Sequence, residues 1–492
     1  MTAISAHAQA DRPTPYSPHQ RTALVFTGTG TAGAYHAGVL RAFQEAGVRV
    51  DLVAGRGIGA ATAMFAAVDA GSRLWDADGL WLSRRAPQAF YRWRPLWRVV
   101  GTVLGAVLLA LLLPLALWAV LGVAYPFILL AQLAAPEATH GMVASYTSLA
   151  TRLVSGGLLS SIVPRVVTGL IVVVAGVLVV AGLAGRKGRR RVRGSLLWKV
   201  LGAPFDAETP MAHVGATFWQ AIRGAAPIAQ PRAGDLSRRY SELLADSLGQ
   251  PGYRELLVAV HDMDARRDLV FALLGEPYRS AFGGDGSSLQ GRRRQEELVD
   301  LAALGRDHLA DAIAGALVVA PVCEPHPMSF SPESYWRGET HRLCDRTGLV
   351  GRLLEEVSAA GATQVIVATA APPLEGPHGL AAPRLDPRSR VGETVVAAEA
   401  ASVRDALSAH GWRFHGVFEV RPTHNPLGPF DFAGGYDERS DRAFTIRELM
   451  NRGYEDAYRQ FIEPVVGASG EQVTAARPGA SIDDLDLRPG GA

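Results

Sequence analysis

The chain has 492 residues, with 49 basic and 47 acidic side chains and a net charge of +2. That length holds two or three domains, and the balanced charge exerts no global pull on nucleic acid. Two cysteines, Cys323 and Cys344, exclude a disulfide framework, fit a reducing compartment and read as buried thiols.

In chain order, residues 1–20 are polar with three prolines and no apolar run, which predicts a disordered leader rather than a signal peptide. Leu24-Val25-Phe26 reads as a strand. A glycine loop, Gly28-Thr29-Gly30-Thr31-Ala32-Gly33, leads into a helix with Val39, Leu40 and Phe43 at helical spacing. A second strand, Asp51–Ala54, enters a tight turn, Gly55-Arg56-Gly57-Ile58-Gly59, and a small-residue helix leaves it at Ala60. This strand–loop–helix–strand–turn–helix order opens a parallel α/β sheet. A glycine loop at a helix N-terminus aims backbone N–H groups at an anion, either a phosphate or the oxyanion of acyl transfer. The turn has the frame of a Gly-x-Ser-x-Gly nucleophile elbow, with Gly55 and Gly59 in place and Gly57 where serine would stand. Gly28-x-Gly30-x-x-Gly33 also fits a dinucleotide loop, but that motif wants an acid at the end of the second strand, and Asp51 stands at its start.

Residues 70–98 mix Trp75, Trp81, Trp93 and Trp97 with Arg84, Arg85, Arg92, Arg94 and Arg98, the composition of a membrane interface. No charged residue occurs from Val99 to Ala135, and a second uncharged run covers Val166–Gly185. Each is long enough for a span, placed near 99–122 and 166–185, with 123–134 as a continuation or interfacial segment and 135–165 as the connecting loop. Pro114 and Pro126 are sites for kinks. Arginines before the first run and the basic run 186–193 after the second put both flanks in the cytoplasm and the hairpin in the inner membrane.

Leu256–Val260 and Leu269–Leu273 read as strands joined by a polar turn. His261, Asp262 and Asp264 there are read as a solvated hairpin tip and not as metal ligands. Residues 275–298 read as a surface loop. A helix over 310–319 and a proline-bearing loop lead to Asp345-Arg346-Thr347-Gly348. A helix, Leu349–Ala359, and a strand, Ala362–Ala368, follow. Beyond a Pro-rich loop come a helix near 395–409, a strand over Trp412–Val420, an amphipathic helix over 445–465 and a disordered tail, 466–492. The expected organisation is 1–20 leader, 21–90 first part of an α/β domain, 91–195 membrane hairpin, 200–465 second part, and 466–492 tail.

With Gly28–Gly33 followed by His36-Ala37-Gly38-Val39-Leu40, and with the elbow frame after a short second strand, the chain resembles the patatin-like phospholipases. Their oxyanion loop is Gly-Gly-Gly-x-x-Gly, followed by a helix often reading His-x-Gly-Val-Leu. The resemblance covers about 24–70 and 250–370. It implies a patatin-like αβα sandwich with a mainly parallel sheet, lipid acyl hydrolysis by a Ser–Asp dyad without a catalytic histidine, and no cofactor. On it, Asp345 takes the place of the dyad aspartate, Gly57 that of the nucleophile, and the backbone of Gly28, Thr29, Gly30 and Gly33 that of the oxyanion loop. Arg346 and Thr347 replace the family's small residues after the aspartate, and Arg346 is expected to pair with Asp345 and lower its basicity. Two readings remain: a membrane-anchored lipid hydrolase degenerate at its nucleophile, or a non-catalytic protein binding lipid or a partner.

Overall fold

The computed structural model describes residues 16–154, 159–184, 202–224, 226–283, 294–320, 322–373 and 386–467. The expected leader through residue 15, the basic run 186–193, most of the Pro-rich loop and the tail from 468 lie outside them. The chain divides into two compact units, Met1–Arg92 with Asp206–Ala492, and Trp93–Phe205.

In the first unit the strands are β1 (Thr22–Gly28), β2 (Leu52–Gly57), β3 (Glu255–Asp262), β4 (Arg267–Leu273), β5 (Leu298–Asp300), β6 (His326–Ser329), β7 (Thr340–Cys344), β8 (Gln364–Thr369) and β9 (Gly416–Val420). They form one sheet in the order β5-β4-β3-β2-β1-β8-β9, and the β6–β7 hairpin joins it through β3. The central strands β3, β2, β1, β8 and β9 are parallel, while β4 and β7 run antiparallel to β3. The sheet is therefore mixed and mainly parallel. β1 and β2 are buried at every residue, as strands covered on both faces must be, which is why they read as apolar runs without alternation.

The helices of this unit include α1 (Ala32–Glu45) and α2 (Ile58–Ala67), which pack on β1 and its neighbours. On the opposite face Val25, Ala54, Leu257 and Val367 pack with Leu353 and Val357, carried by the later helix Leu349–Ala359, and with Val403, from the helix Pro387–His410. Helix, sheet and helix make three layers. Trp81, Phe90 and Tyr91, from the stretch expected at a membrane interface, are buried in this unit instead. Trp81 stacks on Phe90 and Phe90 on Phe432, with centroids 5.0 and 4.8 Å apart.

The second unit is helical: α3 (Pro95–Ala134), α4 (Pro136–Val154) and α5 (Leu159–Ala184). The first apolar run is thus one 40-residue helix through both Pro114 and Pro126. The expected loop 135–165 is mostly helix: α4 packs on α3, where the Tyr146 hydroxyl donates to the Leu121 carbonyl at 2.9 Å. Large apolar side chains are exposed along α3, among them Leu104, Leu108, Leu109, Leu112, Phe127 and Leu130. Among the described residues, no helix is long and apolar enough to cross a membrane, so the expected membrane hairpin is not shown.

Candidate active site

β1 and β2 end side by side, with Phe26 opposite Gly55, Thr27 opposite Arg56 and Gly28 opposite Gly57. β1 leads through the glycine loop into α1 and β2 passes directly into α2, so the loop and the turn meet at the carboxyl edge of the sheet, where α/β folds build their sites. Gly57 has φ 56° and ψ −137°, the strained conformation of an elbow apex. A Cβ there would lie 2.3 Å from the Gly28 carbonyl oxygen and 3.0 Å from Asp345 Oδ2. Asp345 follows β7, and its backbone N–H donates to the Val318 carbonyl at 2.8 Å. Residues 57 and 345, nearly 300 positions apart in the chain, therefore face each other. Gly55 and Gly59 frame the turn. Gly59 packs on the Phe26 backbone, and Gly33 packs on Trp81.

Arginine dominates this place. Arg56 is fully buried. Its Nη1 donates to Asp345 Oδ2 at 2.8 Å, its Nη2 to Glu399 Oε1 at 2.6 Å and its Nε to Thr27 Oγ1 at 2.8 Å. The Thr29 hydroxyl donates to the same Glu399 oxygen at 2.6 Å. Burial alone would lower the guanidinium pKa, but Asp345 and Glu399 raise it above its ordinary value. Burial pushes Asp345 up to about 6, Arg56 opposes that rise and the Glu399 charge adds to it. Asp345 Oδ1 is buried and, among the described residues, has no hydrogen-bond partner. The expected Arg346–Asp345 pair does not form: Arg346 reaches outward to Asp268, and Arg56 is the partner.

A second element covers the glycine loop. The Thr31 N–H donates to the Pro429 carbonyl at 3.0 Å and its hydroxyl to the Gly428 carbonyl at 2.9 Å. Gly30, at φ 61°, lies so close that a Cβ would sit 1.8 Å from the Pro429 oxygen. Phe430 packs edge-on against Tyr91. His36, behind the loop, donates from Nε2 to the Thr27 carbonyl at 3.3 Å, and burial pushes its pKa down to about 3, so it is a neutral core histidine. Described clefts of about 820, 770 and 200 Å³ are lined by residues other than Gly57, Arg56 and Asp345.

At the β3–β4 hairpin, Asp262 holds His341, Asp264 holds Arg342 and Asp268 holds His261. Among the described residues no group of acids, histidines and cysteines could hold a metal ion. Sequence reasoning missed the roles of Arg56 and Glu399. Each left a signal: a charge between two glycines at the end of an apolar strand, and a lone acid in Val395-Val396-Ala397-Ala398-Glu399-Ala400-Ala401.

The fold and this edge define an α/β protein of the glycine-loop and elbow type. Residues 24–132 match the family described as Patatin-like phospholipase. The match runs from β1 into α3, farther than the resemblance of 24–70, and does not include Asp345. Among solved structures the chain is similar to the crystal structure of VipD from Legionella pneumophila, with 12% identity, a TM-score of 0.30, and coverage of 91% of this chain and 67% of that one. No curated protein matches.

Proposed function

We propose that this is a patatin-like protein without serine-hydrolase chemistry, held at a membrane by its helical unit. The observation that carries the reading is the pairing of Arg56 with the Asp345 oxygen that faces Gly57. An acyl hydrolase of this type needs an oxygen nucleophile at the apex and a base free to take its proton. Residue 57 offers no hydroxyl. Of the hydroxyls in the glycine loop, Thr29 donates to Glu399 and Thr31 to Gly428. Membrane lipid is the partner this reading names, and it invokes no cofactor and no nucleic acid.

Membrane attachment is supported by α3 and its exposed leucines. The arginines outside the apolar runs favour a cytoplasmic position for the α/β unit. The test is a serine-directed fluorophosphonate probe together with turnover of lipid esters. Neither labelling nor turnover is expected of the wild type. Labelling that disappears on Thr29→Val would establish an unconventional nucleophile and overturn the reading.

A further inference from the structure

We propose that Arg56 is a tethered occupant of the former site, an internal cation that closes it and holds its two carboxylates. The inference rests on the reading of a silent site and names what fills it. The guanidinium donates to Thr27 of β1, to Asp345 after β7 and to Glu399 of the helix Pro387–His410, and Glu399 also accepts from the Thr29 hydroxyl. One side chain therefore ties two strands, the glycine loop, the Asp345 turn and a helix of the opposite layer. The side chains of Asp345 and Glu399 are 6% and 5% exposed, so neither has water to stabilise its charge. Two ionised carboxylates this close repel each other, and only a cation between them makes both tenable. Substrate cannot supply that cation, because Pro429 and the aromatic cluster cover the loop. The chain supplies it from the residue next to the apex. An arginine at 56 thus binds the position of the base from within, as a ligand would from without.

The test is rescue, made on the full chain. Arg56→Met removes the cation and leaves two buried charges unpaired. Adding Asp345→Asn and Glu399→Gln removes those charges while keeping shape. The single variant is expected to lose about 5 °C or more in melting temperature, or to fail to fold. The triple variant is expected to recover most of that loss, or to fold where the single does not. A triple variant no more stable than the single, or a failure of both to fold, overturns the proposal. Fluorophosphonate labelling of the wild type would instead overturn the silent-site reading and leave the rescue result standing.

Discussion

The two units invert each other's economy of polarity. The α/β unit hides a charge: Arg56 is 0% exposed at its centre. The helical unit shows hydrocarbon: Leu109 of α3 is 68% exposed. The first is tolerable because every guanidinium nitrogen faces an oxygen, so the desolvation of a buried ion is offset by its partners. The second has no such internal remedy. A contiguous apolar surface on a helix needs an apolar surrounding, supplied by lipid or by another protein. Burial is therefore informative only with its partners: the same chain contains an ion that belongs inside and leucines that belong in neither water nor its own core.

The largest expected effect tests the second half of this contrast. Leu108→Arg with Leu112→Arg puts two charges on the exposed side of α3, each costing about 2.5–3.5 kcal/mol at the centre of a membrane helix. The double variant is expected to leave the membrane fraction of fractionated cells almost completely. Unchanged fractionation would mean that water, not lipid, faces these positions.

Gly57→Ala comes next. The positive φ and a Cβ 2.3 Å from the Gly28 oxygen require the backbone to shift, at about 2–3 kcal/mol. A lowered melting temperature is expected, and Gly57→Ser is expected to be destabilised alike and to remain unlabelled by a fluorophosphonate. A stable, labelled Gly57→Ser would show that only the hydroxyl was missing.

A smaller effect concerns pH. Asp345 titrates near 6 in the folded chain, above the ordinary 3.8. The folded state thus binds its proton more tightly than the unfolded state, and this group's contribution to stability is present below pH 3.8 and lost as pH rises through 6. The melting temperature of wild type minus that of Asp345→Asn should fall between pH 5 and pH 7. A difference that is flat or rises would reverse the sign argued here. The smallest effect is that of Arg346→Ala. Its half-exposed pair with Asp268 is worth about 0–1 kcal/mol, so stability and the pH response of Asp345 should hardly change. A marked change in that pH response would restore Arg346 as the partner of Asp345.

Much of the α/β fold can be read in the sequence because β1, β2 and β8 are apolar on both faces and the glycine punctuation between them is local. Helix Leu349–Ala359 carries its boundaries in its own pattern. The facing of Gly57 and Asp345 is also legible, through the order of strands that a family resemblance supplies. The ion network is not. Glu399 reaches Arg56 across 343 residues, and neither neighbourhood encodes the other. Arg346 misleads for a related reason: it adjoins Asp345 in sequence, but it stands two residues beyond the end of β7 and reaches out to Asp268. The connection 135–165 was misread because α4 is polar enough to pass for a loop, and its helix is stabilised by packing on α3.

The way the chain leaves and re-enters the α/β unit has a consequence for modularity. The Asp206 N–H donates to the Arg92 carbonyl at 3.0 Å, so the two cut ends of that unit already touch. Everything from Trp93 to Phe205 departs and returns through one gap a single peptide could bridge. Such an arrangement lets 113 residues be gained, lost or exchanged without moving a strand of the sheet.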